Sequence, residues 1–234
     1  MSENYFQFKY FTVHQGRSAM KVGTDAVLLG SWVNADRAKN ILDIGTGSGV
    51  IALMLAQRTD AMIDAVDICP ESCLQANENV HNSLWSGRIS VQHISFQEFS
   101  STTSKKYDLI VSNPPYFSDA PKPITQGRIQ SRHTDLLPFN ELISGVKKVI
   151  SPEGKFCVVL PCKEGAAFTD EAMKYGLFCG NILRVKTKPE KLEKRFLMEF
   201  SPQLKPMEEN EIVIRVSDTE FSKEYLEMTK EYYL

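Results

Sequence analysis

From Asn40 onward the apolar positions of the chain alternate between two patterns. Short, densely apolar runs with the character of buried strands give way to runs whose apolar residues recur every three or four positions. Residues 41–44, 62–68, 88–94, 107–112 and 155–160 read as strands, and 50–57, 70–82, 138–150 and 163–175 as helices. Regular alternation of this kind predicts an α/β fold, a parallel sheet with helices on both faces. Three later runs, 181–186, 196–200 and 211–216, read as strands that close the sheet with antiparallel pairing, and 222–232 as a last short helix. Ligands of such sheets sit at the carboxyl ends of the strands, near the switch in strand order.

The N-terminal pattern is different. Residues 5–13 alternate imperfectly and are rich in aromatic side chains, which predicts a strand or an extended arm. An edge strand and a substrate-contacting arm explain that run equally well. The apolar run 26–32 follows Gly23-Thr24-Asp25, where Thr24 or Asp25 serves either as a helix N-cap or as a ligand contact. The chain is thus expected to form one domain overall, with an arm and covering segment at 1–35 ahead of the main body at 36–234.

Composition narrows the class without naming it. The 234 residues are 42% hydrophobic and 24% charged, and no apolar run approaches the ~20 residues of a membrane span. The first ten residues lack the uninterrupted apolar core of a signal peptide, so a cytoplasmic location without membrane association is expected. Cys69, Cys73, Cys157, Cys162 and Cys179 show no paired C-x-x-C spacing, which argues against a zinc site or a disulfide framework. A net charge of −2 argues against a globally cationic nucleic-acid binder and leaves room for a local basic face.

Two stretches carry chemistry. In Asp43-Ile44-Gly45-Thr46-Gly47-Ser48-Gly49 a strand feeds a glycine turn and a helix leaves it. Such glycines permit left-handed backbone and close approach of a ligand, and the helix N-terminus offers free N–H groups. Alone this turn is a weak signal. Asp67 ends the next strand about 20 residues on, where a carboxylate can accept both hydroxyls of a ribose or merely cap the helix that starts at Pro70. The second stretch is Asn113-Pro114-Pro115-Tyr116 at the end of a buried strand. Its prolines remove two backbone donors and leave carbonyls free to accept. A planar amine there could donate to the Asn113 side chain and the Pro114 carbonyl while its ring stacks on Tyr116. Held by both hydrogens, its lone pair would turn out of conjugation toward an electrophile.

In this order the glycine turn, Asp67 and Asn113-Pro114-Pro115-Tyr116 resemble the Rossmann-like, S-adenosylmethionine-dependent methyltransferases that act on planar amino nitrogens, over about residues 20–200. Phe8-Lys9-Tyr10-Phe11, Met20-Lys21-Val22-Gly23-Thr24-Asp25, the run from Ala52 to Thr59, the run from Phe156 to Pro161 and the terminal Tyr232-Tyr233 extend the likeness. Across nearly the whole chain they are similar to the bacterial family that methylates adenine 37 of tRNA(Val) at its exocyclic amine. The resemblance implies a class I fold with a seven-stranded, mainly parallel sheet, S-adenosyl-L-methionine as methyl donor and a tRNA anticodon loop as substrate, with no obligatory protein partner and no metal.

The same resemblance implies roles for individual residues. Gly45, Gly47 and Gly49 would line the methionine moiety, with Asp43 near its amino group; Asp67 would hold the ribose; Lys21, Gly23 and Thr24 would cover the carboxylate end. Asn113 and Pro114 would grip the target amine and Tyr116 would stack on the base. Many relatives place an acid for the cofactor adenine after the third strand, where this chain has Ser95; Phe96 would pack on that adenine, with Glu98 as a substitute acceptor. Arg128, Arg132, His133, Lys186, Lys188, Lys191, Lys194 and Arg195 are candidates for RNA phosphates, or else part of a solvated charged face. Three other readings remain. Enzymes that methylate a release-factor glutamine share the Asn-Pro-Pro-Tyr signature and usually carry a helical domain ahead of the glycine turn. DNA adenine methyltransferases add a recognition domain. A noncatalytic RNA-binding module would have little use for an intact signature.

Overall fold

The computed structural model describes residues 4–18, 21–115 and 137–233. Two short strands, β1 (Tyr5–Gln7) and β2 (Thr12–His14), and a helix, α1 (Thr24–Trp32), precede the alternating part of the chain. There follow β3 (Asn40–Ile44), α2 (Val50–Arg58), β4 (Met62–Asp67), α3 (Pro70–His81), β5 (Ile89–His93), α4 (Phe96–Thr102) and β6 (Tyr107–Ser112). After the undescribed 116–136 come α5 (Phe139–Val149), β7 (Ile150–Pro161), α6 (Cys162–Lys174), β8 (Phe178–Lys186), β9 (Glu193–Ser201), β10 (Glu208–Val213) and α7 (Lys223–Thr229). The polar stretch 118–134, expected to be a substrate loop, lies outside the described residues.

The main sheet runs β10-β8-β9-β7-β6-β3-β4-β5. Pairing is parallel from β5 through β7; β9 opposes both its neighbours, and β10 pairs in parallel with β8. The sheet therefore has eight strands where the resemblance implied seven, because 208–213 adds to the outer edge of β8. Strand order turns back on either side of β3, so the crevice between the carboxyl ends of β3 and β6 is the switch point where ligands of this architecture bind.

Alternation along the strands divides the apolar side chains between two faces. Ile41, Leu109, Val111, Cys157 and Val159 share one core with α1, α2 and Tyr225 of α7. Leu42, Ile44, Ile110, Phe156, Val158 and Leu160 face the other, under α4, α5 and α6. The aromatic run at 5–13 is a hairpin and not one strand: β1 and β2 pair antiparallel, and Phe8 N–H closes the turn on the Phe11 carbonyl at 2.8 Å. Phe8, Phe11 and Val13 are buried in the first core while Lys9 and Tyr10 stand in solvent, which is why the alternation was imperfect. Helix α4 was not anticipated. Its start carries an S-x-x-E signature, and Ser95 Oγ accepts from Glu98 N–H at 3.2 Å. Among the described residues no helix is long and apolar enough to cross a membrane.

Candidate active site

The glycine turn takes its shape from three left-handed residues. Gly45, Gly47 and Gly49 have φ of 71°, 58° and 82°, angles at which a side chain would be strained. A Cβ added at Gly45 would meet nothing within 4 Å, so the turn faces open space there. Gly49 instead packs closely, since its Cβ would come 3.4 Å from that of Ala76 on α3, and it caps α2 with no side-chain oxygen. The turn is pinned to the end of β4: Gly45 and Thr46 N–H donate to the Val66 carbonyl at 2.9 and 3.1 Å.

Asp67 completes that attachment. Its Oδ2 accepts from Gly47 N–H and its Oδ1 from Cys69 N–H, both at 2.8 Å. The residue thus orders the turn ahead of α3, whose N-cap is Cys69 with no side-chain cap, so the expected helix cap is not formed by Asp67. Each carboxylate oxygen keeps a further lone pair, so the ribose reading stands beside it, with the acceptor already fixed in direction.

Asp43 lies deeper, with no exposed surface. Thr46 Oγ1 donates to its Oδ2 at 2.7 Å, and its Oδ1 finds no partner among the described residues. Burial raises its pKa to about 7, against the lowering effect of the Thr46 bond and the Ala52 N–H and with a smaller upward push from Asp67. A buried acceptor lacking a donor, beside an open glycine turn, suits a ligand that brings a cationic amine.

Across the switch point, Ile44 of β3 is in register with Ser112 of β6, and Ser112 Oγ donates to the Ile44 carbonyl at 3.0 Å. Asn113 and Gly45 are thus the next residues of adjoining strands. Asn113 Oδ1 is buried and has no hydrogen-bond partner among the described residues. Pro114 behind it is buried and Pro115 exposed. Tyr116, expected to stack on a base, lies outside the described residues. A further unpartnered buried acceptor, Glu164 Oε2, sits in the first turn of α6 at the neighbouring strand end. Sequence pattern gave no reason to single it out.

Some expected roles change. Ser95 uses its hydroxyl to cap α4, and Glu98 is exposed on that helix. Phe96 is 4% exposed; its ring fills the space above Gly145, where a Cβ would come within 2.5 Å of it. The ring belongs to the core under α5. The N-cap of α1 is Gly23, which has no side chain to cap with; Thr24 and Asp25 are already helical, and Asp25 is turned to Arg195, whose Nε lies 2.8 Å from Asp25 Oδ2. Lys21, Gly23 and Thr24 are exposed on the approach to that helix.

The basic residues fall into two groups. Arg128, Arg132 and His133 lie outside the described residues. The others occupy the β8–β9 hairpin, which projects at the same edge as Asn113, since Arg195 pairs with Pro161 at the carboxyl end of β7. Several are already matched to acids: Arg195 to Asp25, Lys186 to Glu211 at 2.7 Å, and Lys188 to Asp218. Lys191 and Lys194 are exposed. A broad cleft of about 920 Å3 lies at the opposite, amino edge and is lined by Arg37, Lys39, Arg58, Trp85 and Arg88. Arg58 there donates to the carbonyls of Gly30, Ser31 and Val33, and Arg88 to those of Ala56, Thr59 and Ala61. These guanidiniums close helix ends and bear no relation to the site.

Comparison with known proteins agrees with this geometry. The family model described as methyltransferase small domain matches residues 16–173. A relative from Trichodesmium erythraeum is 45% identical over all of this chain and 99% of its own length, and one from Bacteroides fragilis is 44% identical over the same shares; both are named tRNA1(Val) (adenine(37)-N6)-methyltransferase. Among solved structures, a predicted O-methyltransferase from Agrobacterium tumefaciens superposes with a TM-score of 0.69 at 18% identity, covering 89% of this chain and 96% of that one. A ribosomal protein L11 methylase from Lactobacillus delbrueckii gives 0.57 at 18% identity, covering 81% and 83%. Likeness at that identity establishes the fold, a Rossmann-like methyltransferase sheet, and the full-length relatives establish the rest: this chain belongs to the tRNA1(Val) (adenine(37)-N6)-methyltransferase family.

Proposed function

We propose that the chain transfers a methyl group from S-adenosylmethionine to the exocyclic N6 amine of an adenine in tRNA, adenine 37 in the anticodon loop of tRNA(Val). The observation that carries this reading is the buried, unpartnered Asn113 Oδ1 one residue past β6, beside the open glycine turn one residue past β3. A buried amide oxygen without a donor costs about 1–3 kcal/mol, and an amine N–H from a substrate would remove that cost.

The residues present fit the donor. Gly45 leaves the room that a Cβ would fill, Asp43 holds an unmatched acceptor, and Asp67 keeps two acceptor positions fixed by backbone N–H bonds. S-adenosylmethionine, when bound, supplies an electrophilic methyl on a sulfonium. The chain's own part is alignment: the Asn113 side chain and the Pro114 carbonyl accept the two amine hydrogens and turn the nitrogen lone pair toward the glycine turn. Tyr116 is assigned to stack on the flipped base. Proton loss to water after transfer needs no general base. A single-stranded loop is the cheapest place to unstack an adenine, which favours the anticodon loop over duplex nucleic acid. Lys191 and Lys194, with Arg128 and Arg132, are assigned to the RNA backbone, and a cytoplasmic location goes with that substrate.

Purified protein incubated with methyl-labelled cofactor and, separately, unmodified tRNA, duplex DNA and a release factor tests the reading. Label is expected in tRNA alone, as N6-methyladenosine. Label in the release factor would move the activity to a glutamine amide.

A further inference from the structure

Helix α3 carries a polar stripe on a buried face. Gln75 and Asn79, one turn apart, are 3% and 1% exposed, and both are fully used in holding other parts of the chain. Asn79 Oδ1 accepts from His14 N–H at 2.9 Å, and its Nδ2 donates to the His14 carbonyl and to the Ser48 carbonyl, each at 2.8 Å. One amide therefore ties the end of β2 to the glycine turn. Gln75 Oε1 accepts from Arg17 N–H at 3.2 Å and its Nε2 donates to Glu78 Oε2 at 3.1 Å; Glu78 Oε1 accepts from Arg17 Nη1 at 2.6 Å. Further on, Val22 N–H donates to Gln15 Oε1 at 2.8 Å. Ser18 Oγ lies 3.9 Å from where a Cβ of Gly47 would stand.

We infer that Asn79 is a positioning residue for the methyl donor: through His14 and Ser48 it holds the segment 14–18 in register with the glycine turn, so that one set of hydrogen bonds fixes both walls. The inference rests on the reading of that turn as the donor site. Asn79 does not touch the reacting atoms; its amide acts through the main chain of the two segments it joins. Asparagine suits the task because it presents one acceptor and two donors in a single plane. Aspartate would set oxygens against the two carbonyls, and alanine would leave three main-chain groups, the buried Ser48 carbonyl among them, without this partner.

The test separates positioning from general stability. S-adenosylhomocysteine binding is measured by calorimetry for wild type, Asn79→Ala, Asn79→Asp and Gln75→Ala, alongside thermal melts. In parallel, trypsin cleavage after Arg17 is followed with and without that ligand. The expected result is a loss of affinity of about tenfold or more for both Asn79 variants and a smaller loss for Gln75→Ala. Ligand should protect Arg17 in wild type and not in the Asn79 variants, and turnover at saturating donor should stay within about twofold of wild type. Unchanged affinity in Asn79→Ala, or intact protection of Arg17, would overturn the inference. So would a parallel fall of turnover at saturation and donor affinity, the signature of a merely damaged fold. If Asn79→Ala does not fold, Asn79→Asp carries the decision, since it keeps the side chain's size and an acceptor for the His14 N–H while removing the donor to the Ser48 carbonyl. Wild-type protein that binds no S-adenosylhomocysteine would overturn the donor-site reading itself.

Discussion

At the scale of single residues, the unpartnered acceptors of Asn113 and Asp43 have opposite duties on the proposed reading and should fail differently. With Asn113 proposed to grip the acceptor amine, Asn113→Ala is expected to lower kcat by at least about tenfold while donor affinity stays within about twofold. Parallel calorimetry and single-turnover methylation of tRNA check this; an unchanged rate would remove Asn113 from the mechanism. Asp43 concerns the donor side and the fold. Its native pKa of about 7 stands above the 3.8 of an unburied carboxyl, so between those values the native state holds a proton that the unfolded chain has lost. Stability from this group is therefore largest at the low end of that window and declines as pH rises through 7. At about 1.4 kcal/mol per unit, the ligand-free protein should lose roughly 2 kcal/mol between about pH 5 and pH 7, a slope that Asp43→Asn should flatten. Urea titrations of both proteins across that range measure it, and equal slopes would show that Asp43 stays ionised when buried.

Among the elements, the β8–β9 hairpin is the one whose role depends on a partner. Lys186, Lys188 and Arg195 already face Glu211, Asp218 and Asp25, which is why exposed Lys191 and Lys194 are the side chains proposed to meet an RNA phosphate. Reversing both, Lys191→Glu with Lys194→Glu, should weaken tRNA binding and reduce the salt dependence of log K by about two, with donor affinity unchanged. Filter binding over a salt series reads both; an unaltered slope would place the RNA elsewhere. How far the elements were visible beforehand follows the same logic of partners. Buried strands such as β6 (Tyr107–Ser112) declared themselves because a two-sided apolar environment leaves its mark on every residue. Helix α4 was hidden by its brevity, although Ser95 and Glu98 spelled its cap. The site divides along the same line. The glycine turn was readable because few residue types satisfy left-handed backbone, and so was the place of Asn113 at the end of a buried strand. That the Phe96 ring packs in the core was not readable, since only the closeness of Gly145 reveals it. Asn79 and Gln75 went unnoticed for a related reason: a polar residue on a buried helix face signals something, but not which distant main chain it holds.

For the whole molecule, the two ends of the chain are joined behind the site. The Lys9 N–H donates to the Tyr232 carbonyl at 2.9 Å, Tyr232 Oη donates to the Met54 carbonyl of α2 at 3.0 Å, and the Tyr233 ring lies parallel to that of Phe8 at 6.4 Å. The C-terminal tyrosines thus fasten the N-terminal hairpin to the helix that leaves the glycine turn. Two variants divide that attachment into its parts. Tyr232→Phe removes the hydroxyl's bond to a carbonyl that the helix ladder still satisfies and its hydrogen bond with Arg58, each of which should cost about 0.5–1.5 kcal/mol. Tyr232→Ala also empties a site where the ring is 1% exposed, and should cost about 3–5 kcal/mol. Donor affinity at low temperature should survive in the phenylalanine variant. In the alanine variant it should fall together with protection of the hairpin amides from hydrogen exchange, because β2 supplies His14, which Asn79 ties to the glycine turn. Equal losses of stability in the two variants would mean that the hydroxyl, and not the packed ring, holds the ends together. Full donor affinity in Tyr232→Ala with the hairpin amides exchanging freely would mean that the glycine turn keeps its shape without the N-terminal arm.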